Sequence, residues 1–207
     1  IAPVRLWQPQ ALYQHEISLN LYYGAFFGVM AVMAIYNLVL WLFIREHAYL
    51  YYVCYVVSAM FFQAVMSGYG YRYLWTDYLW LKDNAITLGV ALCFIFAIAF
   101  VVRFLRLRET DPPAYRWSLV GMASYLILIW ISPSQSEETL TRIAQPLGLL
   151  LCVFAVWASL RQWRNGSQVA TFFVVGWTLL VLGTAVYTLM LAGWLPHNLL
   201  TRHIQEI

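Results

Sequence analysis

Residues 20–44 read NLYYGAFFGVMAVMAIYNLVLWLFI, a run without a single Asp, Glu, Lys or Arg. A helix rises about 1.5 Å per residue, so roughly 20 residues cross a hydrocarbon core about 30 Å thick. Backbone at that depth must satisfy its own hydrogen bonds, which leaves an α-helix or a closed β-barrel. Barrel strands alternate apolar and polar residues, and Val29-Met30-Ala31-Val32-Met33-Ala34 does not alternate. The run predicts a membrane-spanning helix.

Outward from it the pattern recurs. Further runs free of charge lie at about 48–67, 84–102, 117–132, 143–160 and 168–194. The chain is therefore read as an all-α, multi-pass membrane bundle with six spans. The 117–132 run is short and ends before Pro133, which predicts local bilayer thinning or help from flanking residues. Composition agrees: 63% of the 207 residues are hydrophobic and 10% are charged, against roughly 25% charged in ordinary soluble domains. Residues 1–19, with Pro3, Pro9 and a polar middle, are expected to be a linker leaving an extracytoplasmic domain. No basic n-region or cleavage site precedes the first apolar run, so the chain is expected to be part of a longer protein.

The connections are short. Arg45-Glu46-His47 makes a hairpin, Asp111-Pro112-Pro113 interrupts the helix after the third span, and Arg161 to Gly166 follows the fifth. Eleven of the twelve basic residues are arginine. Placing the N-terminus outside puts Arg45, Arg103, Arg106, Arg108, Arg116, Arg161 and Arg164 on the cytoplasmic side as basic anchors. That leaves Arg5, Arg72, Lys82, Arg142 and Arg202 outside. Seven against five favours this orientation, because positive charge accumulates in cytoplasmic loops. In the outer connection, Tyr69, Tyr71, Tyr73, Trp75, Tyr78 and Trp80 form an interfacial aromatic belt, since rings with a polar edge settle at headgroup level. An aromatic ligand cage is the sharper reading of the same residues.

Little in the chain suggests catalysis. The four histidines, His15, His47, His197 and His203, sit at span ends or outside, so no span offers axial haem ligands. Cys54, Cys93 and Cys152 lie apart inside apolar runs and read as packing residues rather than a disulfide framework or zinc site. No nucleophile motif, phosphate-binding loop or pair of buried carboxylates is present. The expectation is no catalytic residue, metal or cofactor, and the interspersed arginines do not make a nucleic-acid tract. Ionisable groups at depth mark ion and proton paths, and the spans contain none.

Two features point to helix packing or switching. Gly24 and Gly28, continued by Ala31, form a small-residue face that lets another helix approach within the molecule or in a dimer. Asn37 is a polar residue within the first span and a candidate for an interhelical hydrogen bond, and Ser58, Gln63, Thr171 and Thr178 are candidates for similar bonds. Such bonds are worth about 0.6–2 kcal/mol.

Leu21-Tyr22-Tyr23-Gly24 through Phe27-Gly28, then Ile35-Tyr36-Asn37, resembles the first span of the bacterial seven-transmembrane receptors with diverse intracellular signalling modules (7TMR-DISM). Arg45-Glu46-His47-Ala48-Tyr49-Leu50-Tyr51-Tyr52 is similar to that family's hairpin into an aromatic second span. Gly68-Tyr69-Gly70 and Tyr73-Leu74-Trp75 resemble its outer loop. Arg103-Phe104-Leu105 with Pro112-Pro113 resembles the exit of its third span, and Gly193-Trp194-Leu195-Pro196 the end of its sixth. The resemblance runs from residue 12 to 207. It implies an extracytoplasmic sensory domain, seven helices in the bacterial inner membrane with the seventh beginning at about 199, and a cytoplasmic histidine kinase or diguanylate cyclase, as in two-component signalling. It also implies an extracytoplasmic ligand of unknown identity and a homodimer formed through the full-length receptor. The competing reading is a small-solute transporter or channel, which needs a polar path that scattered Ser, Thr, Gln and Asn barely provide. A membrane-embedded enzyme is a third reading with no residues at depth to support it.

Overall fold

The computed structural model describes residues 9–74, 79–164 and 174. Apart from Val174, the sixth predicted span at 168–194 and the seventh from about 199 lie outside the described residues. The long helices are α1 (Pro9–Ile44), α2 (His47–Met66), α3 (Leu79–Phe104), α5 (Pro112–Ile131) and α6 (Glu137–Arg164). The one-turn helix α4 (Leu107–Thr110) links α3 to α5, a π-helical turn covers Gly70–Leu74, and a 3₁₀ turn covers Ser132–Ser134. Among the described residues there is no strand, and five helices are long and apolar enough to cross a membrane. The chain is an all-α, multi-pass membrane protein.

The sequence-based boundaries stop at charges, whereas the helices run on past them. Helix α1 starts at Pro9, so the first predicted span continues back into the stretch expected to be a linker. Proline suits a first helical position because its missing N–H has no intrahelical partner there. Its 36 residues make about 54 Å of helix at ~1.5 Å per residue, more than the hydrocarbon core needs. Gln10, Gln14, His15 and Glu16 therefore belong to a polar extension of the span. The fourth predicted span also gains a turn: α5 begins at Pro112, capped by Asp111, so its 20 residues include flanking residues beyond the charge-free run.

Helix α3 is the centre of the described bundle, packing against α2, α5 and α6, while α1 has α2 as its only extensive neighbour among the described elements. The least exposed stripe of α1 runs through Tyr23, Phe26, Met30, Ala34, Asn37 and Trp41, in steps of three or four. That spacing makes a seam one helix wide. The rest of α1 is apolar and exposed, as with Val32 and Phe43, which suits a surface turned to lipid or another helix.

Close approach within the bundle depends on isolated glycines. A Cβ on Gly89 of α3 would lie 3.1 Å from the Phe62 Cα of α2. One on Gly148 of α6 would lie 2.7 Å from the Phe94 Cζ of α3. By contrast, a Cβ on Gly24 or Gly28 meets nothing within 4 Å. Among the described residues Gly24 and Gly28 have no close neighbour, whereas Ala31 on the same face is partly buried. Gly89 and Gly148, which pack closely among the described elements, lie against aromatic residues.

The middle of the bundle is organised by Tyr125 of α5, which is fully buried. Its ring stacks on Phe94 at 5.0 Å and 6°, and its hydroxyl donates to the Ala144 carbonyl at 3.3 Å. Ala144 lies just before Pro146, where α6 lacks a backbone donor. Ala91, Ile95, Leu128 and Leu140 complete this cluster. A second cluster, Val101, Leu105, Leu107, Ala114 and Ala158, closes the opposite end beneath α4.

Candidate functional site

The polar chemistry of the described bundle gathers where α4 meets the ends of α3 and α6. Asp111 is the key residue. Followed by Pro112 and Pro113 at the first positions of α5, it caps that helix by accepting the Ala114 N–H at 3.3 Å. This is the usual work of aspartate at an N-cap, where it satisfies a backbone donor and places negative charge at the positive end of the helix dipole. Asp111 is only 4% exposed, and Arg161 Nε of α6 lies 3.1 Å from its Oδ2. The next residue along, Gln162, is buried and donates from Nε2 to Thr110 Oγ1 at 2.6 Å. Two consecutive residues at the end of α6 thus hold the two residues that enter α5. The Arg161 guanidinium also stands 5.3 Å over the Trp157 ring, which fixes its approach.

A third link completes this end. Glu46, between α1 and α2, pairs with Arg103 of α3 at 3.2 Å, with both side chains nearly half exposed. Exposed pairs of this kind contribute about 0–1 kcal/mol, so this one orients the hairpin more than it stabilises it. Together the contacts bring the 45–47, 103–111 and 161–164 connections to one end. Six of the seven arginines assigned to a single side by charge counting lie on these connections, and Arg116 follows in the second turn of α5.

At the opposite end, Tyr69 donates to Asn20 of α1 and sets its ring edge-on to Tyr23 at 5.4 Å. Tyr71 packs on Val65 and Ala85. These two belt residues serve helix contacts. Tyr73 lies on the π-helical turn and Trp80 in the first turn of α3, while Trp75 and Tyr78 lie outside the described residues. The aromatic belt and the ligand cage therefore remain expectations for those positions.

Asn37 makes no interhelical hydrogen bond among the described residues. Its amide donates to the Met33 carbonyl of its own helix at 2.8 Å. Ser58 does the same to Cys54 at 2.7 Å, and the fully buried Ser118 and Ser159 bond back to Ala114 and Ala155. Each polar group satisfies itself one turn back, as Ser and Thr commonly do inside helices. Thr171 and Thr178 lie outside the described residues. The expected result for Asn37→Leu is a shift below about 1 kcal/mol in thermal unfolding in detergent, since no interhelical bond to a described residue is lost.

Sequence reasoning took Asp111-Pro112-Pro113 as a chain breaker and missed Asp111, Thr110, Gln162 and Glu46 as contact residues. An Asp followed by two prolines is a recognisable helix start, and that signal was available. The partners on α6 had no local signature. Among the described residues, no three His, Cys, Asp or Glu side chains converge to hold a metal ion, and the three cysteines are free and partly buried.

No curated protein and no solved structure matches the chain. Residues 19–207 match the family model described as 7TM diverse intracellular signalling. The match spans all the described helices except the polar start of α1, together with the runs that follow α6. The long apolar helices are thus those of a signalling receptor's transmembrane domain, and the chain belongs to the 7TM diverse intracellular signalling family.

Proposed function

We propose that this bundle relays a signal from an extracytoplasmic sensory domain to a cytoplasmic output module of the histidine kinase or diguanylate cyclase type. In this reading it spans a bacterial inner membrane with its N-terminus outside, and the full receptor works as a homodimer. The observation that carries the proposal is the clasp at the basic end. Arg161 and Gln162 grip Asp111 and Thr110, so any movement of the α6 end displaces the start of α5. Contacts of this kind have a small number of arrangements, and a ligand acts by favouring one of them over another. Orientation is supported by seven arginines at that end against five basic residues elsewhere. The open Gly24 and Gly28 face is available to a second copy.

The test is Arg161→Gln in the full-length receptor. It removes the charge that reaches Asp111 but leaves the Asp111 cap on Ala114 intact. The expected outcome is a change of about fivefold or more in the ratio of stimulated to basal output, the lower end of ordinary allosteric coupling. An unchanged ratio would count against a relay through this contact. Solute uptake by liposomes containing the purified chain would favour the transporter reading instead.

A further inference from the structure

Among the described residues, the two non-glycine positions with left-handed backbone are Arg45 (φ 61°) and Arg106 (φ 51°). Arg45 directly follows the end of α1, and Arg106 lies two residues past the end of α3, just before α4, both at the basic end. At the opposite end, where α2 finishes, the same conformation is taken by Gly68 (φ 78°). A side chain in this conformation crowds its own carbonyl, which is why glycine, and then asparagine, dominates such helix ends. Arginine is a poor choice for the backbone there. What favours it has to be the guanidinium.

Neither guanidinium has an acid partner among the described residues, and both side chains are exposed. The same is true of Arg108, Arg116 and Arg164. The buried Asp111 and half-exposed Glu46 are already engaged by Arg161 and Arg103. Five free guanidinium groups therefore ring an end whose elements are tied together beneath them. Trp117 and Trp163, adjacent to Arg116 and Arg164 and 65% and 51% exposed, mark the height of this rim, since exposed indoles settle at the headgroup layer.

We infer that the basic rim binds the phosphodiester headgroups of anionic membrane lipids, with Arg45 and Arg106 as its fixed contacts. Guanidinium forks match phosphate oxygens in a bidentate fashion, and both arginines sit where a span leaves the hydrocarbon. A lipid phosphate is already at that height, whereas an acidic protein face would have to enter the headgroup layer to reach it. Charge complementarity and depth thus select the same occupant.

The experiment uses the full purified chain in phosphatidylcholine bilayers that contain spin-labelled phosphatidylglycerol or spin-labelled phosphatidylcholine. Both leaflets carry the same lipids, so the result does not depend on orientation or on the signalling role. The chain is expected to retain phosphatidylglycerol selectively, and selectivity should fall as salt rises. The double variant Arg45→Gly/Arg106→Gly is expected to lower that selectivity by about fivefold or more, while its melting temperature in neutral detergent holds or rises because glycine suits both backbones. Arg45→Asn/Arg106→Asn, which also tolerates the conformation, serves if the glycine variant folds poorly. Selectivity unchanged in the variant overturns the proposal. So does intact lipid selectivity accompanied by lost binding of an acidic output module, which would make the rim a protein contact.

Discussion

Asp111→Ala is expected to cost about 2 kcal/mol in unfolding free energy, through a lost cap that leaves a buried N–H without a partner and a lost ion pair. The cap is the larger part. Ala114 is fully buried, so once Asp111 no longer accepts its N–H, water does not readily replace it. The ion pair adds less than its distance suggests, because Arg161 is half exposed and is hydrated when released. Asp111→Asn separates the two contributions. Asparagine caps helices about as well as aspartate, so losing the charge alone is expected to cost below about 1 kcal/mol. Chemical denaturation of both variants in one detergent provides the check. Equal losses would show that the pair with Arg161, and not the cap, dominates.

Gly148→Leu is expected to be the most damaging single substitution in the bundle interior, at about 3 kcal/mol, the upper end of ordinary overpacking. Its Cβ would lie 2.7 Å from Phe94 Cζ and 3.2 Å from the Tyr125 hydroxyl oxygen. Neither neighbour yields easily. Phe94 is stacked on Tyr125, and Tyr125 is fully buried and tethered to the Ala144 carbonyl. Gly121→Ala is the graded comparison. Its Cβ would meet the tip of Leu151 at 2.6 Å, the end of a flexible side chain that can rotate away, so its effect is expected to be below about 1 kcal/mol. Gly28→Leu, with nothing within 4 Å of its Cβ, is expected to leave the monomer's stability within about 1 kcal/mol of the original. Thermal melting of the three variants in detergent gives the order directly.

The bundle was legible in the sequence because charges are expensive in lipid, so an uncharged run of 20 or more residues has few alternatives. Charges, however, mark where the hydrocarbon ends and not where a helix ends. Arg116 closed the predicted fourth span at residue 117, yet the helix begins at Pro112 because Asp111 caps it there. Pro9 in turn starts α1 well before the first apolar residue of its span. The packing was harder to read. Gly24 and Gly28 have the recognisable spacing, but Gly89 and Gly148, which have none, are the ones under neighbouring helices. Spacing along one helix shows that a flat face exists, and only the tertiary arrangement decides which face is used. The clasp was invisible for the same reason: Thr110 and Gln162 are 52 residues apart and meet only once α5 and α6 have packed around α3.

The central claim is that signal passes through the joint between α6 and the start of α5. Thr110 and Gln162 are in direct contact there. In a full-length receptor lacking Cys54, Cys93 and Cys152, Thr110→Cys and Gln162→Cys bridged by a short thiol-reactive linker would fix that joint. The account predicts that the bridged receptor holds one output level whether or not stimulus is present, and that cleaving the linker restores the response. A bridged receptor that still responds fully to stimulus would contradict it.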